Sequence, residues 1–334
     1  MFSIIREGFS GTEKIKLLNT ETGEYVAVLP DWGANLNELV LLNDGSLHSI
    51  IAGDASLESI RGHAVNFYRG AKLSPFPNRV AVGKYAFQDQ QYTLNRNDGE
   101  HALHGLIWNL PFRIMHQESA EDFAEVELVY DYISNYTGYP FTFSISVLYR
   151  MEATQLSCYT IIHNTGSTAL PIGDGWHPYF SLHKKIDALR LKLPVCRQLE
   201  MDSGIPTGNY IPSDFYQGEI SLKNQILDHC FELSVAENIA ETELIDADHN
   251  RKIVLWQECG MNAYRFLQIY TPPDRMSIAI EPMSCAPNGF NNKNGLIELE
   301  PDSHVQFSFG IKLKSLLNEV DPVTETTVAE DAVK

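Results

Sequence analysis

Strict alternation of apolar and polar residues is the feature that most narrows what this chain can fold into. Phe141, Phe143, Ile145, Val147 and Tyr149 occupy every second position, with Thr142, Ser144 and Ser146 between them. Val305, Phe307, Phe309 and Ile311 repeat the pattern against Gln306, Ser308 and Lys312. Successive side chains of a strand point to opposite faces, so a period of two means one buried face and one wetted face. Tyr85 and Phe87, then Tyr92 and Leu94, flank the polar run 88–91, which reads as a hairpin. Further strands are expected at Tyr25–Leu29, 126–132, 156–162, 189–193 and 277–280, with Asn/Asp/Gly turns such as Asn97-Asp98-Gly99 between them. No long segment carries a clean helical period; a short helix is expected near Leu57–Phe67. The fold class that follows is all-β: a large antiparallel β-sandwich with a few short helices. With no repeat and no linker-like break, residues 1–317 read as one domain. The end, 318–334, is acidic, rich in Thr and Val and free of aromatics, and is expected to be a disordered tail.

Composition narrows the function. With 334 residues, 44% of them hydrophobic, the chain can bury a substantial core. Its formal net charge of −18 disfavours nucleic acid, where affinity rests on Lys and Arg against phosphates. The same charge disfavours an anionic membrane surface. The 5 cysteines, Cys158, Cys196, Cys230, Cys259 and Cys285, are odd in number and none stand in CxxC spacing. They read as separate thiols in a reducing compartment rather than a disulfide framework. The N-terminus lacks a basic start followed by an apolar run, and no apolar stretch is long enough to span a bilayer. The expectation is a soluble, cytoplasmic protein, as a monomer or homodimer.

Dinucleotide-binding, phosphate-loop, zinc-protease and nucleophile-elbow motifs are all absent from the sequence. Four motifs remain: Asn78-Arg79, His104-Gly105, His177-Pro178-Tyr179-Phe180, and Glu281-Pro282 leading to Pro287-Asn288. Together they supply an arginine, two histidines and a glutamate. That set can move protons on a neutral polar molecule without metal or cofactor. Pro178 biases His177 towards an extended backbone. Glu281 follows the apolar run Ile278-Ala279-Ile280, and a carboxylate at the end of a buried strand is pushed towards the pKa of a working base. Each residue alone has a plainer alternative: a histidine in a loop is more often structural, and a glutamate can simply pair with an arginine. Trp176, Tyr179, Phe76 and Trp108 stand beside the motifs as flat surfaces for sugar C–H faces, with core packing as the alternative for each; Phe180 reads as core.

The chain resembles the aldose 1-epimerase (galactose mutarotase) family over roughly residues 25–312. The segment from Pro77-Asn78-Arg79 to Lys84-Tyr85-Ala86-Phe87 is similar to the family's Asn-Arg segment. His104-Gly105 and His177-Pro178-Tyr179-Phe180 resemble its two histidine motifs. Leu227-Asp228-His229 resembles a segment whose aspartate contacts sugar hydroxyls, and Glu281 to Asn288 resembles the segment carrying its catalytic glutamate. The resemblance implies a cofactor-free isomerase acting on a monosaccharide, with Glu281 as base, His177 as acid and His104 as hydrogen-bond donor. Arg79, Asp228, Asn78, Trp176 and Tyr179 would hold the sugar. Leu106 stands after His104-Gly105 where many family members have a second glycine, and Pro178 follows His177 in place of a small polar residue. These departures leave the sugar open: a free hexose is expected, with a hexose 6-phosphate or other anionic sugar as the alternative. A non-catalytic carbohydrate-binding protein and a two-carboxylate glycosidase using Glu281 and Asp228 are the rival readings.

Overall fold

A computed structural model describes residues 1–212, 215–234 and 236–316; the expected tail, 318–334, lies outside the described residues. The alternating segments form antiparallel ladders throughout. The widest sheet has nine strands. Its centre runs Phe123–Tyr132, Phe143–Glu152, Gln155–Asn164, His304–Ser315 and Arg251–Glu258. Val147 pairs with Thr160, and Thr160 with Phe307, so the two alternating runs read from sequence lie two strands apart in one sheet. A second sheet of eight strands contains Asp228–Leu233, Phe266–Tyr270 and Ile278–Met283 as neighbours, then Gly175–Trp176 and Lys72–Leu73; Tyr179–Phe180 also pairs with Ile278–Met283. A third, five-stranded sheet is built from residues 2–49.

The main core lies between the two large sheets. Ile145, Val147, Phe307 and Phe309 meet Leu267, Ile269, Ile278 and Ile280 in one continuous buried cluster. Trp176 fastens the layers together: its ring lies 5.7 Å from Phe309 and 5.8 Å from Tyr149, centroid to centroid. The expected hairpin forms from Lys84–Phe87 and Gln90–Thr93, and the expected helix spans Leu57–Phe67. Among the described residues no helix is long and apolar enough to cross a membrane.

The pleat of the eight-stranded sheet positions the polar face of the site. In the eight-stranded sheet, Leu267, Ile269, Ile278 and Ile280 point into the main core, so their alternates point the other way. Gln268 faces Glu281 across the ladder, and Asp228 faces Tyr270. The outer face of this sheet therefore carries a polar patch on neighbouring strands.

Candidate active site

Loops close over that outer face and make a cleft of ≈ 190 Å³, lined by Tyr68, Asn78, Arg79, Asp98, Leu103, His104, His177, Tyr179, Asp228, Gln268, Tyr270 and Glu281. The volume is well below the roughly 300–1,000 Å³ of pockets for drug-sized ligands. A larger cavity of ≈ 580 Å³, between Lys192–Val195 and the 236–243 segment, contains no histidine.

The sheet supplies the floor. Glu281 lies within the strand Ile278–Met283, not at its end as its Pro282 suggests. The chain can stay extended through Pro282 because the next strand on that side, Gly175–Trp176, pairs only at Met283. Glu281 is 1% exposed. Burial pushes its carboxyl well above the usual range; the charge of Asp228 adds to this, and Arg79 opposes it. Asp228 accepts a hydrogen bond from Gln268 Nε2 at 2.6 Å.

His177 comes from the segment after Trp176. Its backbone N–H donates to Ala71 O and its own carbonyl accepts from Gly70 N–H, so the backbone is fixed on both sides. Nε2 stands 3.4 Å from Glu281 Oε1. Burial lowers its pKa to about 3. Tyr179 stacks on the imidazole at 4.9 Å with planes only 7° apart. His177 Nδ1, Glu281 Oε2 and the Tyr179 hydroxyl are buried without a hydrogen-bond partner.

His104 reaches in from the opposite side, its ring 5.2 Å from that of His177. It sits at φ 61°, a left-handed backbone uncommon outside glycine and asparagine. Gly105 follows at φ 74°, where a Cβ would lie 2.2 Å from Ser74 O, so the glycine is required. The Asn78 N–H donates to His104 Nδ1 at 3.3 Å. That bond leaves the proton of the neutral ring on Nε2. Burial holds the imidazole well below its ordinary pKa, and His177 and Arg79 add to the effect.

The Asn288 side chain accepts from Ala81 N–H at 3.0 Å, and the Asn288 N–H donates to Arg79 O at 2.6 Å. The Pro287-Asn288 motif thus braces the Asn78-Arg79 segment rather than entering the cleft. Arg79 Nε donates to Asp98 Oδ2 at 2.7 Å.

The structure therefore brings together seven of the eight residues singled out from sequence: Glu281, His177, His104, Arg79, Asp228, Asn78 and Tyr179. Trp176 is the correction. It is fully buried in the main core, because alternation turns it to the opposite face of the strand from His177. Phe76 packs on Phe290, and Trp108 packs on Trp32 and Tyr68, so neither floors the cleft. Sequence reasoning missed Tyr68, Asp98, Leu103, Gln268 and Tyr270. Gln268 carried a signal: a lone amide inside Phe-Leu-Gln-Ile-Tyr is a polar residue placed in a buried strand. Among the described residues one group could hold a metal ion, His116, Glu118 and Glu125, but it is on the strands 113–132 at the sheet's edge and Arg150 already binds Glu125 at 2.7 Å.

The family model described as aldose 1-epimerase matches residues 16–312. The chain belongs to the aldose 1-epimerase family. It is 29% identical over 300 residues to the uncharacterized protein YihR of Escherichia coli (strain K12), covering 86% of this chain and 90% of that one. It is 26% identical over 203 residues to an aldose 1-epimerase of Streptococcus thermophilus, covering 54% and 53% of the two chains. The fold matches a galactose mutarotase-like protein of Clostridium acetobutylicum with a TM-score of 0.81 at 20% identity, over 94% of this chain and 99% of that one. Family membership supports a carbohydrate epimerase as the general activity.

Proposed function

We propose that this protein interconverts the α- and β-anomers of a free, uncharged hexose by acid–base ring opening. The observation that carries the reading is the buried His177–Glu281 pair, 3.4 Å apart, with an open hydrogen-bonding position on each partner. Both residues line the cleft, so these positions are placed to take a ligand's hydrogen bonds.

Burial raises the Glu281 carboxyl and lowers the His177 imidazole, so a proton held by the pair rests on Glu281. Its passage to His177 creates a carboxylate and an imidazolium together, with no proton taken from solvent. The carboxylate then takes the proton of the C1 hydroxyl while His177 gives its proton to the ring oxygen. The bond between C1 and the ring oxygen breaks, and C1 becomes a carbonyl. Glu281 again holds the proton and His177 is neutral. After rotation about the C1–C2 bond the steps reverse on the other face. His104 Nε2–H points a donor at the reacting region, and Arg79 and Asp228 bind ring hydroxyls. Holding the sugar against both groups contributes through orientation as well as proton transfer.

An uncharged sugar suits the electrostatics. Among the described residues Arg79 is the one cation lining the cleft, against Asp98 and Asp228. Of the two nearby cations in sequence, Lys72 is fully buried against Asp174, and Arg69 faces Asp54 at 3.8 Å with its guanidinium 6.0 Å from the Tyr179 ring centre. The volume and polar lining favour a monosaccharide over an apolar ligand.

The test is anomer exchange, followed by NMR near neutral pH, with glucose, galactose and their 6-phosphates. Acceleration by the wild type that disappears in Glu281→Gln is the expected result. Tight sugar binding without acceleration would turn the reading into a carbohydrate-binding protein.

A further inference from the structure

Asp98 is absent from the acid–base scheme, yet it is part of the cleft wall. Its place is fixed from both sides. The Asn97 side chain donates to Tyr68 OH at 3.0 Å and to Leu103 O at 3.1 Å, and accepts from Leu103 N–H at 2.7 Å. Asp98 and His101 exchange backbone hydrogen bonds of 3.1 and 2.9 Å across the turn. The carboxylate is thus carried on a braced turn and meets Arg79 Nε at 2.7 Å, with the Asp98 side chain 37% exposed. Gly204 also lies against Arg79: a Cβ there would stand 2.9 Å from Nε and from Nη1. Arg79 is therefore aimed, with Nε occupied and the two terminal nitrogens left for a ligand.

We propose that Asp98 sets the charge selectivity of the site: it orients Arg79 towards sugar hydroxyls and cancels the cation that an anionic sugar would need. The inference rests on the mutarotase reading for the location of the sugar. An arginine that meets a phosphate or sulfonate gains most when both prongs of its fork are free. Here the Nε edge of the guanidinium is taken by a carboxylate, and that carboxylate would itself face the incoming anion. Selectivity then comes from a repulsive group as much as from an attractive one. A neutral hydroxyl is indifferent to that charge and needs only the donors that Asp98 holds in place.

The experiment uses Asp98→Asn, which keeps an acceptor for Arg79 Nε and removes the charge, together with Asp98→Ala, which removes both. Dissociation constants are measured calorimetrically for glucose, galactose and their 6-phosphates, alongside anomer-exchange rates. In Asp98→Asn the preference for the neutral sugar over its 6-phosphate should fall by about tenfold, the scale of one partly screened charge at close range. Raising salt should shrink that change. Asp98→Ala should weaken the neutral sugar as well, because Arg79 loses its aim. A ratio unchanged in Asp98→Asn, with both sugars weakened equally, would show that Asp98 only braces its loop and would overturn the proposal. The ratio is a binding quantity, so it remains readable if the wild type accelerates no anomer exchange, an outcome that would instead remove the mutarotase reading.

Discussion

Two of the buried acid–base pairs share the segment that carries Asp174 and His177, and they behave differently. Lys72 and Asp174 are both fully buried. Asp174 Oδ2 takes the lysine and also the Tyr264 hydroxyl at 2.7 Å, the Asp174 N–H donates to Ser284 Oγ at 2.8 Å, and the ammonium lies 4.6 Å from the Trp176 ring centre. Neither group lines the cleft. Asp174 Oδ1 is also without a hydrogen-bond partner, but it does not line the cleft; His177 and Glu281, nearly as buried, each have an unfilled position and both line it. The first pair uses its charges to tie the strand Lys72–Leu73 to Gly175–Trp176, beneath the segment that carries His177. The second keeps its hydrogen-bonding capacity for something that arrives. Burial alone does not mark a site; burial with open valences facing a cavity does.

The largest expected separation between the pairs is in catalysis. Glu281→Gln should lower the anomer-exchange rate by on the order of 10³-fold, within the range for losing a general base. It should also make the protein more stable at neutral pH. Glu281 has a raised pKa in the folded state, so its contribution to stability is full below the unfolded value of 4.5 and is lost as pH rises above it. Glutamine removes that loss. Thermal melting at pH 7.5 and pH 4 checks the sign: the gain should be clear at the higher pH and shrink at the lower.

Lys72→Met should do the reverse. Leaving Asp174 buried without its cation costs about 3–5 kcal/mol. The surviving folded fraction should keep a kcat near wild type, because the lysine touches nothing in the cleft. Denaturant titration with rates normalised to folded protein separates the two effects. A large fall in kcat without loss of stability would erase the distinction between a structural and a catalytic pair.

A smaller effect distinguishes the histidine. The folded-state pKa of His177, about 3, lies below the unfolded value of 6.5. The unfolded chain therefore takes up a proton that the folded one refuses as pH falls from 6.5 towards 3. Stability drains by up to ~1.4 kcal/mol per pH unit from this one group. His177→Asn should have a flatter stability profile between pH 6.5 and pH 4 than the wild type. Parallel profiles would mean that His177 is less desolvated than its surroundings indicate.

The same contrast explains what could be read from the chain alone. Periodicity is a local property, so Tyr25–Leu29 and the two strand faces of the core were legible, as was the hairpin read around 88–91, whose second strand in fact begins at Gln90. Glu281, His177 and His104 were legible because family motifs surround them. Trp176 was misread because its neighbour His177 enters the cleft, and only the pleat says that adjacent residues part company. Asp98, Tyr68, Gln268 and Tyr270 reach the site through pairings distant in sequence, such as Gln268 with Glu281, which no local window contains. The unfilled positions on His177 and Glu281 are likewise a tertiary property: they depend on what failed to pack against them.

The least drastic way to sharpen the comparison lies at the cleft's rim. Gly204 sits at φ 80° in the turn between Cys196–Asp202 and Ile205–Tyr210, against Arg79. In Gly204→Ala the new methyl would strain a left-handed backbone by roughly 1–2 kcal/mol. It would also force Arg79 to move, either away from Asp98 or away from its aim into the cleft. The paired His177 and Glu281 are untouched, so kcat should hold while KM rises by about fivefold, the pattern of lost uniform binding. If kcat fell and KM held, Arg79 would be acting on the transition state rather than on the ring hydroxyls, and the proton-transfer pair would no longer account for the chemistry by itself.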